Sequence, residues 1–284
     1  MHTRVSAFLL FAFQLAAAAQ QQYLAQSDDA PAHLVPDDPI AQAVLSRALA
    51  DGIDLPAYAF SGPALEEIVY WSHFNSSELP GSLVHSAEGV EAIDVHAHYA
   101  PKWYSNARQD STEWHLQEHL ELMANHSIAK SIFSVPNPNI FPGDKGATLA
   151  VARLLNENMA ALSKALPDRF GFFATNPLPH VNASITEAQY ALGSLGALGV
   201  ALSSNHDGHY LGDRLFAPFF AAMDDHQSII FLHPTEPLLE VNNTLIKANP
   251  TTHSPVLAEF YFETGDLSAA SDDCSSDVGQ PGQC

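Results

Sequence analysis

Five short apolar runs, each separated from the next by a helical pattern, constrain this chain more than any other feature. They are Ile93 to His98, Ala129 to Val135, Phe170 to Thr175, Leu198 to Ser204 and Ile229 to His233. Strands that read as continuously apolar are buried on both faces, and strands alternating with helices build parallel βαβ units. The expected class is therefore α/β, with a (β/α)8 barrel as the best fit. An open, doubly wound sheet fits less well, because no glycine-rich phosphate loop follows the first run. A full barrel needs about 250 residues, and only 192 remain from Ile93 to Cys284. From Gly265 onward no apolar period is left, so the pattern provides about five of the eight βα units.

The intervening helices can be placed from their apolar stripes and their starts. Asp110-Ser111-Thr112-Glu113 resembles a capping box ahead of Leu116, Leu120 and Met123. Asp144 precedes a longer helix that carries Val151, Leu154, Leu155, Met159 and Leu162 and stops near Pro167. Ser184-Ile185-Thr186-Glu187 reads as the start of a third helix, and Asp213 to Met223 as a fourth, with Phe216, Phe219 and Phe220 as its core face. Upstream, Pro39 to Ala50 and Pro63 to His73 each place a proline at a first helical position.

The first residues read as a secretory signal, with Arg4, an apolar Val5 to Leu15 and a small-residue site at Ala16 to Ala19. Sequons at Asn75, Asn125, Asn182 and Asn242 agree with that route. The expected division is a signal peptide over 1–19, a helical extension over 20–86, a partial barrel over 87–264 and a divergent, disordered tail over 265–284. The location is then secretory, or cytosolic if the N-terminus is a gene-model artefact. Cys274 and Cys284 both fall in the tail, so no disulfide framework supports the core. The formal net charge of −21 repels phosphate backbones and anionic lipid. Neither nucleic acid nor, after signal cleavage, a membrane is an expected partner.

Two of the runs end in chemistry. Asp94-Val95-His96-Ala97-His98-Tyr99 closes the first strand with two histidines one residue apart, which share a face because side chains alternate. Leu232-His233-Pro234 closes the fifth run in the same way. Strand C-termini are where barrel enzymes collect their catalytic groups.

At these residues the chain resembles the amidohydrolase-related, metal-dependent decarboxylases, the group of 6-methylsalicylate, aminocarboxymuconate semialdehyde and γ-resorcylate decarboxylases. The likeness covers about Ile93 to Thr264. Further blocks carry it: Pro167 to Ala174, Gly208-His209-Tyr210-Leu211-Gly212-Asp213 and Glu259-Phe260-Tyr261-Phe262-Glu263-Thr264. The resemblance implies a carboxy-lyase acting on a small aromatic acid, with His96, His98 and His233 as ligands of zinc, or of manganese in some members. It also implies a histidine followed by glycines after the sixth strand and an aspartate on the eighth, which move protons. Neither has a counterpart here, so the catalytic residues stay unassigned and an inactive fragment is one alternative. A metal-dependent hydrolase using the same first ligands is the other. A homodimer is the assembly to test.

Other conspicuous residues have plainer readings. His115 and His119 stand four apart without the glutamate of a zinc-protease helix, and are expected on a solvated face. Asn205-His206-Asp207-Gly208-His209 reads as a turn-rich loop near the strand ends. Trp103 and Tyr104 either line the pocket or pack, and Glu236 is expected in solvent.

Overall fold

In a computed structural model of the chain, the residues described are 37–84, 89, 92–108, 113–135, 141, 143–235, 238–241 and 244–247, the last two stretches by their backbone alone. The expected cap at 110–112, Glu236, Asn242, both cysteines, the signal and the tail lie outside them. Among the described residues, no helix is long and apolar enough to cross a membrane.

The chain enters through α1 (Pro39–Ala50), whose N-cap Asp38 accepts a hydrogen bond from the Ile40 amide. It continues into α2 (Ser61–Ser72) and a single turn, α3 (Gly81–Val84). Strand β1 (Ala92–His98) follows, then α4 (Lys102–Arg108), α5 (Leu116–Asn125) and β2 (Ile128–Ser134). The long α6 (Lys145–Ala165) starts at Asp144, which accepts from the Ala147 amide as the sequence leads one to expect. Next come β3 (Phe170–Phe172), β4 (Ala174–Thr175), α7 (Val181–Tyr190) with a π turn over Ala191–Leu195, and β5 (Gly199–Ser203). A hairpin of β6 (Asn205–His206) and β7 (His209–Tyr210) precedes α8 (Ala217–Asp225) and β8 (Ile229–His233). A second hairpin pairs β9 (Leu238–Val241) with β10 (Thr244–Lys247).

The five expected runs are strands, and their pairing is parallel, in two sheets ordered β1-β2-β3 and β4-β5-β8. The expected single run 170–175 is divided at Phe173, whose amide bonds the Phe133 carbonyl while Phe172 accepts from the Leu198 amide. These bonds join the two sheets. The helix at 184 begins earlier, at Val181, after Pro179 and His180. Ser184 lies inside it, fully buried, and is no cap. The Ser-x-x-Glu spacing there is a decoy, because a proline two residues ahead of the first helical turn decides the start.

One continuous core fills the layer between strands and helices. It takes Val44, Leu65 and Ile68 from the N-terminal helices, Leu154, Leu155 and Met159 from α6, and Phe133, Phe170 and Val200 from the strands. The opposite face of the strands carries a smaller cluster of Ile132, Phe173 and Ala201, with Phe231 against it. Side chains of β1 and β8, which lie at the two ends of the strand order, touch on this second face: His96 and Phe231 have ring centroids 5.1 Å apart. The strands therefore curl, with the small cluster on the inside and the helices outside.

Candidate metal centre

Register places His98 and His233 on the inner face. His98 is paired with Ser134 of β2, and His233 with Ser203 of β5. One step toward the N-terminal ends, Ala201 is flanked by Phe231 and Thr175. Alternation then stacks a polar layer, with His98, Ser134, Ser203 and His233, above the apolar one of Ile132, Phe173, Ala201 and Phe231. The inner face is dry at its base and polar at the C-terminal strand ends.

A β-bulge aims the first two histidines. Asp94 is paired with Ser131 and Ala97 with Phe133, so three steps of β1 oppose two of β2. The extra residue breaks the alternation that would otherwise put Asp94 on the same face as His96 and His98. Asp94 instead charges the side where His119 sits, and its Oδ1 accepts from the His96 amide at 2.9 Å, which fixes the bulge. Ala97 points out into the core, 5% exposed, which anchors the strand between the two histidines.

The ligating atoms of His96, His98 and His233 all lie within 4.8 Å of one another. His98 Nε2 and His233 Nε2 are 3.2 Å apart. Two nitrogens on one tetrahedral zinc, each at about 2.1 Å, sit about 3.4 Å from each other. Backbone carbonyls hold two of the rings. His233 Nδ1 faces the Pro234 oxygen, and the His98 ring bonds the Ser134 carbonyl. The His233 tautomer that donates through Nδ1 turns its Nε2 lone pair toward His98 Nε2, an arrangement a cation relieves.

Electrostatics agree with neutral rings. Burial, then repulsion from His98, pushes His233 down to about 4. Burial and neighbouring His96 lower His98 as well. His98 is exposed as a whole residue, and its Nε2 faces His233 Nε2. Imidazoles that stay neutral through mildly acidic pH are competent ligands. Among the described residues this is the only cluster of three or more metal-binding side chains.

The remaining candidates separate clearly. His119, expected in solvent, is half-buried: its Nε2 pairs with Ser131 Oγ at 3.0 Å, and its ring packs on Phe133 and Phe170. The apolar helix-to-strand seam, invisible in the spacing, claims it. His115 occupies the N-cap position of α5 without a capping bond. Trp103 and Tyr104 are buried in the core. The 205–210 segment is a tight hairpin, with Asp207 at φ 53° and Gly208 at φ 84° forming its turn. His209 Nδ1 bonds Asp213 Oδ2 at 2.8 Å, while His206 is buried beneath it. A cavity of about 450 Å³ bounded by Asp51, Lys145, Arg153 and Glu187 belongs to the helix layer, and none of the three histidines lines it.

Known proteins resemble the stretch that carries these strands. The amidohydrolase family matches residues 93–262. The decarboxylase yanB of Aspergillus niger is 35% identical over 185 residues, 59% of this chain and 50% of its own length. The 6-methylsalicylic acid decarboxylase of Aspergillus aculeatus is 34% identical over 158 residues, 51% of this chain and 48% of its own. A crystal structure described as amidohydrolase II superimposes with a TM-score of 0.55 at 30% identity, covering 61% of this chain and 58% of that one. The chain spans about half the length of the curated relatives it matches. The matched stretch is more than half of the 284 residues and carries all three histidines on its strand ends, and the chain belongs to the amidohydrolase family.

Proposed function

We propose that this chain carries the metal-binding half of a carboxy-lyase that releases carbon dioxide from a salicylate-type aromatic acid. The single observation behind it is the convergence of His96, His98 and His233 on one point of the inner face. The five parallel strands are read as the first five of a (β/α)8 barrel, whose C-terminal strand ends form the mouth of the site. The relatives named above support the reaction class, since they are decarboxylases by name.

Zinc is the first choice for the trio, because imidazole suits it and three protein ligands leave a position open, and manganese is the alternative. A bound ion supplies Lewis-acid attraction for a carboxylate and its neighbouring hydroxyl, and stabilises the charge that develops as the carbon–carbon bond breaks. The chain's own contribution is orientation. Pro234 and Ser134 carbonyls fix two imidazoles, and the apolar layer of Ile132, Phe173, Ala201 and Phe231 excludes water beneath them. Secretion is part of the proposal, with Asn75, Asn125 and Asn182 exposed as glycan acceptors would be.

The test is metal analysis of the purified chain, followed by carbon dioxide release from 6-methylsalicylate. One equivalent of metal is expected, lost in His96→Ala, His98→Ala and His233→Ala alike, together with metal-dependent formation of the corresponding phenol. Retention of metal by all three variants overturns the site. Metal-dependent hydrolysis of lactones or amides without carbon dioxide release overturns the reaction and favours a hydrolase.

A further inference from the structure

The polar layer contains one hydroxyl that the fold leaves unused. Ser134 is 0% exposed, and its Oγ has no hydrogen-bond partner among the described residues. Leaving a buried hydroxyl unpaired is costly, and such groups in native proteins commonly face a ligand or an ordered water. The other buried hydroxyls of the strand ends are committed: Thr175 Oγ1 bonds the Val135 carbonyl, and Ser204 Oγ accepts from the Thr235 amide.

Three observations locate the Ser134 hydroxyl. It is the register partner of His98, and adjacent residues on parallel strands share a face. It lies two residues beyond Ile132, whose side chain is in the inner cluster. Its carbonyl already holds the His98 ring, so the residue is in direct contact with the trio. The outward alternatives on β2 are occupied differently: Ser131 is taken by His119, and Phe133 belongs to the outer core.

We propose that Ser134 Oγ is a ligand-binding group of the metal centre, donating its proton to a carboxylate oxygen that enters the open position beside the three histidines. One residue thus acts twice, its carbonyl orienting an imidazole and its hydroxyl reading the incoming anion. A neutral donor suits a cleft in a chain with a net charge of −21, where a free carboxylate finds little long-range attraction. The inference rests on the metal-centre reading but not on decarboxylation.

Cobalt(II) substitution tests it without turnover, because the visible spectrum reports both loading and carboxylate binding. Benzoate is titrated into the cobalt-loaded wild type, Ser134→Ala and Ser134→Thr. The expected result is benzoate binding about tenfold weaker in Ser134→Ala, restored in Ser134→Thr, with equal cobalt content and a melting temperature of the metal-free protein unchanged or raised. Equal affinity in wild type and Ser134→Ala overturns the assignment. So does a Ser134→Ala variant that loses cobalt or melts well below wild type, since that marks a structural role, and so does a cobalt-loaded wild type that ignores benzoate. A wild type that takes up no cobalt overturns the trio and this assignment together. Benzoate binding with the expected Ser134 dependence but no carbon dioxide release counts against the decarboxylase reading alone and leaves Ser134 in place.

Discussion

His206 shows what a single side chain costs when it is folded away from water. It is 4% exposed, its ring packs edge-on against Phe216, and its Nε2 has no partner among the described residues. Burial holds its pKa down at about 3, only partly offset by a bond to the Leu178 carbonyl. The folded state therefore binds the neutral ring. Stability from this group is complete above the ordinary histidine value of 6.5 and is lost as the pH falls toward 3. The slope is about 1.4 kcal/mol per pH unit for one proton. His98, His119, His180 and His233 are shifted downward too, so they tilt stability in the same direction. Urea unfolding at pH 7 and pH 5 should show a wild-type loss that shrinks by about 2 kcal/mol in His206→Leu. An unchanged difference between the two pH values contradicts the assignment. Nothing in the Asn-His-Asp-Gly-His spacing marks His206 as buried, because the reason lies in Phe216, just ahead of α8, which packs against its ring.

At the scale of elements, the site depends on how closely β5 and β8 approach. Gly199 is the register partner of Ile229, and a Cβ placed on it would run into the Ile229 main-chain carbonyl. Backbone cannot move aside as a flexible side chain can, so Gly199→Ala should displace β8 and with it His233. A loss of about 1–3 kcal/mol in stability is expected, the usual scale of overpacking, together with weaker metal uptake. Gly193→Ala, which meets nothing within 4 Å, should change neither. Thermal melts and metal titration of the two variants decide it, and equal behaviour would contradict the argument. These parallel strands were legible in the sequence because burial on both faces makes them continuous apolar runs. The hairpins β6–β7 and β9–β10 were not, since strands of two to four residues leave no usable period, even with an Asp-Gly turn between the first pair. The three histidines were legible as strand-end residues. The bulge that aims two of them, and the Ser134 hydroxyl beside them, follow from cross-strand register, which one chain read linearly does not display.

At the scale of the whole molecule, the helices ahead of β1 share a core with the strands that follow. The stretch before β1 reads as a helical extension, and its helices form at 39–50 and 61–72. Yet Ala41, Val44, Ala48, Leu65, Ile68 and Trp71 join the same apolar cluster as the strands and α6. Polar ties cross the same seam. Arg153 of α6, fully buried, bonds Asp51 at 2.6 Å and Glu187 at 2.9 Å, and Asn158 Nδ2 reaches the Ala64 carbonyl. Tyr99, next to His98, donates to Glu67 of α2 at 2.7 Å, so the N-terminal helices also brace the strand that carries two of the histidines. Burial raises Glu67 above the usual carboxylate range, which makes that contact dependent on its neighbours staying in place. Removing residues 1–84 would expose one side of α6, strip Arg153 of one of its two carboxylates and unseat Tyr99. The shortened chain is expected to bind a hydrophobic dye, to lose its cooperative thermal transition and to take up metal poorly. A shortened protein that melts as cooperatively as the full chain, with its metal intact, would show the extension to be a separate unit.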